Sequence, residues 1–206
     1  MVTKLRTLGF ELEGEFSKEA VEKIRAIGNV DVTGDGSIRH CESSKCNNLV
    51  DRELRFGIYR RTNKTDLEKI NKTFKALDEL FSAKDRGYHY NASMGFHIHL
   101  GFEPKMPPEL LFGKFAKTFL KGVQDNWPAM FNSRRDNSYC RARRLKDEDI
   151  YRDRGDRYKA INFLPSLERH GTIEIRFFRA DEPKLMLKYL KHTIKEVEKF
   201  INQEHK

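Results

Sequence analysis

The sequence predicts an α+β domain: a mainly antiparallel sheet with helices packed on one face. Three observations carry this. Four stretches alternate polar and apolar residues with period two, and four others repeat apolar residues every three or four positions. The two kinds are interspersed without the regular strand–helix alternation of a doubly wound parallel sheet. The 206 residues include 15 Phe and 7 Tyr, enough apolar bulk for a proper core, so one domain spanning 1–206 is expected.

Taken in order, Gly9 to Phe16 reads as a strand with Phe10, Leu12 and Phe16 on one face and Glu11, Glu13 and Glu15 on the other. Ser17 can cap a helix striped by Ala20, Val21, Ile24 and Ile27 and ended near Gly28. Asn29 to Thr33 is a short strand, followed by a turn at Gly34-Asp35-Gly36. Leu49 to Tyr59 alternates again, with Leu49, Asp51, Glu53, Arg55 and Gly57 on one face and Val50, Arg52, Leu54, Phe56 and Ile58 on the other. Thr65-Asp66-Leu67-Glu68 has the form of a capping box and opens a helix striped by Leu67, Ile70, Phe74, Leu77 and Phe81.

The strand Gly95 to Phe102 sends Phe96, Ile98, Leu100 and Phe102 one way and His97, His99 and Gly101 the other. Pro107 and Pro108 lead into a helix carrying Leu111, Phe115, Phe119, Val123 and Trp127, stopped by Pro128. Asn132 to Arg157 has eight arginines and little apolar periodicity, and reads as a long functional loop. Strands Arg157 to Leu164 and Thr172 to Arg179 follow, the second with Thr172, Glu174 and Arg176 opposite Ile173, Ile175 and Phe177. A final helix after Pro183 is striped by Met186, Leu190, Ile194, Val197 and Ile201.

The polar faces carry the chemistry. Alternate glutamates on one strand emerge about 6.6 Å apart. At that distance two carboxylates repel by roughly 2.5 kcal/mol at an effective dielectric of 20, against about 0.6 kcal/mol in water. Such a row is either a solvated outer face or an inner face neutralised by cations. If it shares one side of the sheet with His97, His99, Glu174 and Arg176, that side becomes a wall of carboxylate, imidazole and guanidinium. Oxygen donors with one or two imidazoles suit Mg²⁺ or Mn²⁺ rather than structural zinc. Carboxylates on adjacent strands can bridge two ions, and a guanidinium can hold a phosphoryl or carboxylate group.

Bulk charge narrows the partners. The chain carries 40 Lys and Arg against 31 Asp and Glu, a net of +9 that suits a polyanion. The arginine-rich loop also holds six acidic residues, so its mixed charge argues against a nucleic-acid funnel. Three cysteines, an odd count, argue against a disulfide scaffold. No apolar run resembles a signal peptide or approaches the ~20 residues of a membrane span, so no membrane contact and a cytoplasmic location are expected.

Six motifs then fall into one ordered series: Gly9-Phe10-Glu11-Leu12-Glu13, Asp35-Gly36-Ser37-Ile38, Asn91-Ala92-Ser93-Met94-Gly95-Phe96-His97-Ile98-His99-Leu100-Gly101, Arg134-Arg135-Asp136-Asn137-Ser138-Tyr139-Cys140, Arg157-Tyr158-Lys159-Ala160-Ile161-Asn162 and Gly171-Thr172-Ile173-Glu174-Ile175-Arg176-Phe177-Phe178. From about Leu8 to Arg179 the chain resembles the amidoligase family, in the carboxylate–amine ligase superfamily of glutamine synthetase and glutamate–cysteine ligase.

That resemblance implies a glutamine-synthetase-like catalytic domain: a curved sheet with helices on the convex face, and ATP with Mg²⁺ or Mn²⁺ on the concave one. It implies an enzyme that phosphorylates a small-molecule or peptide carboxylate and lets an amine displace the phosphate. By position, Glu11, Glu13, Glu53, His97 and Glu174 correspond to metal ligands, with His99 as an alternative imidazole. Arg134, Asn162, Arg176 and His99 correspond to nucleotide or substrate contacts, and Arg176 and Glu174 stand closest to the chemistry. Glu42 competes with Glu53 for the third carboxylate, and Glu15, past Gly14, reads as a rim residue. Cys41, Cys46 and Cys140 read as ordinary thiols or, for Cys140, a substrate-lining group. A metal-dependent hydrolase on the same face, or a nucleic-acid-binding module using the arginine-rich loop, are the alternatives. Nothing in the sequence specifies an oligomer.

Overall fold

The computed structural model describes residues 4–36, 49–61, 63–82, 87–91, 93–103, 115–134, 137–138, 140, 159–163 and 171–204. Its strands are β1 (Lys4–Ser17), β2 (Val30–Thr33), β3 (Leu49–Arg60), β4 (Tyr88–His89), β5 (Gly95–Glu103), β6 (Ile161–Asn162) and β7 (Thr172–Arg179). Its helices are α1 (Lys18–Ile27), α2 (Lys64–Ser82), α3 (Ala116–Asn126), α4 (Pro128–Arg134) and α5 (Pro183–Glu204). The strands form one sheet in the order β2-β3-β1-β5-β7-β6, with β4 also on β1, and every pairing is antiparallel. This is the α+β architecture with an open antiparallel sheet that the mixed periodicities predict.

The apolar face of the sheet is the core. Phe10 of β1 stacks on Phe56 of β3 at 4.6 Å and meets Phe74 of α2 at 5.1 Å. Phe178 of β7 stacks on Tyr189 of α5 at 4.5 Å and meets Trp127 edge-on. Ala20, Val21 and Ile24 of α1 join the same cluster. Full burial of such rings is worth about 1.5–3 kcal/mol each, which fixes the helices to this side.

Local signals are realised at several ends. Ser17 caps α1 by accepting from Ala20 N at 3.1 Å, and Gly28 closes it at a φ of 79°. Pro183 opens α5, where its missing N–H is no loss.

Three expectations are corrected. The cap of α2 is Asn63 rather than Thr65: Asn63 Oδ1 accepts from Thr65 N at 3.0 Å, and the helix starts at Lys64. Ile58 does not face the core. A register shift opposite Leu8–Phe10 inserts a residue in β3, so Tyr59 is buried and Ile58 is 75% exposed. Opposite Phe96–Ile98 a further register shift aligns Phe178 with Phe96, so Phe178 joins Ile173, Ile175 and Phe177 in the core, with Phe177 against Phe131 of α4. Pro128 begins a second helix instead of merely ending one, and that helix takes in Asn132 to Arg134 from the expected loop. Cys41, Glu42, Cys46, Pro107, Pro108, Leu111 and residues 141–158 lie outside the described residues. No helix among the described residues is long and apolar enough to cross a membrane.

Candidate functional site

Antiparallel register turns the alternation of single strands into a two-dimensional map of the opposite face. Glu11 of β1 lies across from Arg55 of β3 and His97 of β5, and Glu13 across from Glu53. One step along, His99 of β5 faces Glu174 of β7, which faces Asn162 of β6. Side chains paired in register share a face. Residues from six strands, β2 through Thr33 included, therefore meet on the side away from the helices.

The face is largely withdrawn from solvent: His97 is 3% exposed, and Glu13, Glu174 and Asn162 are also buried. The solvated reading of the glutamate row is excluded for these groups. Glu11 sits between two imidazoles, its Oε1 at 3.2 Å from His99 Nε2 and its Oε2 at 3.5 Å from His97 Nδ1. His97 also lies 3.4 Å from Glu174 Oε1 and 3.5 Å from Glu13 Oε1. The His97 contacts, at 3.4–3.5 Å, are long for N–H···O bonds. One imidazole is shared among three carboxylates rather than committed to one.

The remaining bonds are short. Glu174 receives Asn162 Nδ2 at 2.8 Å and Arg176 Nη1 at 2.5 Å. Glu53 receives Arg55 Nη2 at 2.5 Å and Thr33 Oγ1 at 3.4 Å, and Glu13 receives the Gly95 N–H at 2.6 Å. Gly95 has a steric reason: a Cβ there would run into His97 Nε2 and crowd Glu13 Oε2.

Electrostatics follow this geometry. Burial alone would raise the Glu11 carboxyl, but hydrogen bonds and charge from His97 and His99 outweigh it and hold it well below the usual carboxylate range. Burial, then the negative charge of Glu11, pushes Glu53 up to about 7 against the pull of Arg55. Burial would also raise Glu174, but His97, Arg176 and His99 keep it low. His99 is raised because Glu11 and Glu174 outweigh its burial. The cluster is thus a set of carboxylates whose mutual repulsion is only partly cancelled.

Among the described residues, two sets of three ligand atoms converge to within 4.8 Å: Glu11, His99 and Glu174, and Glu11, Glu53 and His97. Each offers two carboxylates and one imidazole, and Glu11 belongs to both. A spacing of that size fits around one ion with bonds of about 2.0–2.3 Å. The donors are oxygen-rich and free of thiolate, so the residues present fit Mg²⁺ or Mn²⁺. Of the sequence-derived ligands, Glu11, Glu53, His97, His99 and Glu174 are brought together. Glu13 lies against them but in neither set.

Arg134 and Cys140 lie elsewhere. Arg134 is buried at the end of α4 and donates from Nη1 to Met94 O at 3.3 Å, next to the Gly95 that holds Glu13. It lines a cavity of about 210 Å³ with Tyr90, Asn91, Ser133, Arg179 and Ala180. Cys140 is buried under the Arg134 carbonyl, and burial pushes its thiol up, away from the thiolate a nucleophile needs.

Glu15 is not a rim residue. It is 1% exposed and its Oε2 lies 2.7 Å from His89 Nδ1, because β4 pairs with β1 there. A two-residue strand carries no periodicity, so nothing in the sequence signals His89. Arg55 had a signal, two positions from Glu53 on the same face, but nothing there assigns it a role.

No protein-family model matches this chain, and no curated protein matches it.

Proposed function

We propose that this chain is an ATP- and divalent-metal-dependent ligase that joins a carboxylate to an amine, a member of the amidoligase family with a glutamine-synthetase-like sheet. The observation that carries the reading is Glu11 shared between two ligand sets on a buried sheet face, with Arg176 fixed beside one of them. Six motifs in the family's order, from Gly9 to Phe178, support it independently of that geometry.

On this reading Glu11, Glu53, His97, His99 and Glu174 would hold Mg²⁺ or Mn²⁺. Bound metal would supply neutralising charge for a triphosphate and for the group transferred from it. Glu13, held by the Gly95 N–H, would add negative charge on the Nε2 side of His97. Asn162 and Arg176 fix both oxygens of Glu174, and Arg176 adds a buried positive charge where an anionic reacting group would lie. Arg134 and its cavity, at the Glu13 end of the sheet, offer a cationic recess for the substrate carboxylate.

Calorimetry should detect ATP binding in the presence of Mg²⁺, and a screen of carboxylates with amines should give ADP and phosphate in equal amounts. Glu11→Gln and Glu174→Gln should each abolish turnover while retaining the fold. Full turnover in both variants would refute the assignment. Metal-dependent cleavage of an ester or amide without nucleotide would replace it by a hydrolase.

A further inference from the structure

A guanidinium already stands against each of the two ligand sets. Arg176 donates to Glu174, and Arg55 donates from Nη2 to Glu53 Oε2 while its Nε lies 3.9 Å from Glu11 Oε1. The two arginines are held very differently. The Arg176 side chain is 15% exposed, whereas that of Arg55 is 51% exposed. Arg55 reaches both carboxylates without distortion, because it lies directly across from Glu11 in register and two residues from Glu53 on the same face.

We propose that Arg55 is the internal counter-ion of the Glu11–Glu53–His97 set: it bridges the two carboxylates while the set is free of metal and is displaced into solvent when a divalent cation binds there. The inference rests on the metal-binding reading above. Two facts support displacement. The Glu53 oxygen that receives Arg55 also takes the Thr33 hydroxyl, so a metal bond to that oxygen must compete with two donors. A cation between Glu11 and Glu53 would also set like charge a few ångströms from the guanidinium, and the half-exposed stem of Arg55 can leave without opening a cavity. Arg176 has no such exit. Metal entry at one set is therefore an exchange of one cation for another, and at the other an addition beside a fixed charge.

Mn²⁺ titrations followed by electron paramagnetic resonance test this on the whole chain. Arg55→Met keeps most of the stem and removes the charge. It should bind one equivalent of Mn²⁺ roughly two- to fivefold more tightly than the wild type, the scale of a partly exposed ion pair that no longer has to be given up. Unchanged or weaker binding in Arg55→Met, with the wild type still binding, overturns the counter-ion role and leaves the metal reading intact. Failure of both proteins to bind Mn²⁺ overturns the metal reading and this inference with it. A second measurement needs no variant to fold. In wild-type protein the Arg55 Nε–H resonance should move to the position of free arginine as Mg²⁺ is added, while that of Arg176 stays. An Arg55 signal that does not move once Mg²⁺ is bound overturns the proposal.

Discussion

Replacing Glu11 by glutamine removes a charged ligand from both sets at once, since its two oxygens lie against His99 and His97. Glu53 belongs to one set only. Glu11→Gln should therefore lose every tightly bound Mn²⁺ equivalent, and Glu53→Gln should lose one and keep the other; titration stoichiometry separates the two outcomes. Gly95 is a second sensitive residue, for a steric reason. Its missing Cβ leaves room for His97 and for the Glu13 carboxylate. Gly95→Ala should cost about 1–3 kcal/mol in urea denaturation, as small-to-large changes in packed sites do, and should weaken Mn²⁺ binding. Gly34→Ala, whose Cβ would meet open space, is the control and should change neither.

Among the elements, α2 and β3 show how local patterns are read at the wrong offset. Thr65 to Glu68 satisfies a capping-box pattern, yet Asn63 supplies the cap and Asp66 accepts from Arg60 N at 2.9 Å, tying the helix start to the end of β3. Asn63→Ala should thus lower stability by about 1 kcal/mol in chemical denaturation, with Thr65→Ala well below that. An equal loss in both would restore the sequence-derived cap. In β3 the alternation from Val50 to Phe56 is right and then fails by one residue at Ile58, where the register shift occurs. The site-face residues Asp51, Glu53 and Arg55 all precede that shift. This is why the polar face was legible on a strand whose far end was not.

At the scale of the whole molecule the sheet is a partition. Helices and aromatic rings fill one side, and the titratable cluster occupies the other. The chain has a net charge of +9, yet this face gathers Glu11, Glu13, Glu15, Asp51, Glu53 and Glu174 against Arg55, Arg176 and three imidazoles. On the helix side His192 of α5 lies edge-on to Trp127 at 4.8 Å, and burial pushes its pKa below the ordinary value of 6.5. The unfolded chain then takes up a proton that the folded chain resists. This contribution to stability is complete above about pH 6.5 and is lost as the pH falls through that value towards the lower folded pKa. His192→Gln should therefore reduce the drop in unfolding free energy between about pH 7.5 and about pH 5.5, measured by urea titrations. An identical drop in wild type and variant would show that His192 is not responsible.

The sequence by itself determined the alternation that sorts Glu11, Glu13, Glu53, His97, His99, Glu174 and Arg176 onto polar faces. It did so because side-chain direction in a strand depends only on parity, until a bulge intervenes. It also determined the helix stripes and the Ser17 and Gly28 ends of α1, which are local effects. Only the tertiary structure decided which strands are neighbours, and hence that Glu11 serves two ligand sets, that Glu13 falls in neither, and that Glu15 is buried with His89. Pairing across distant chain segments fixes those contacts. Arg55 lies between the two cases: parity put it beside Glu53, but only the register of β1 against β3 set its guanidinium over Glu11.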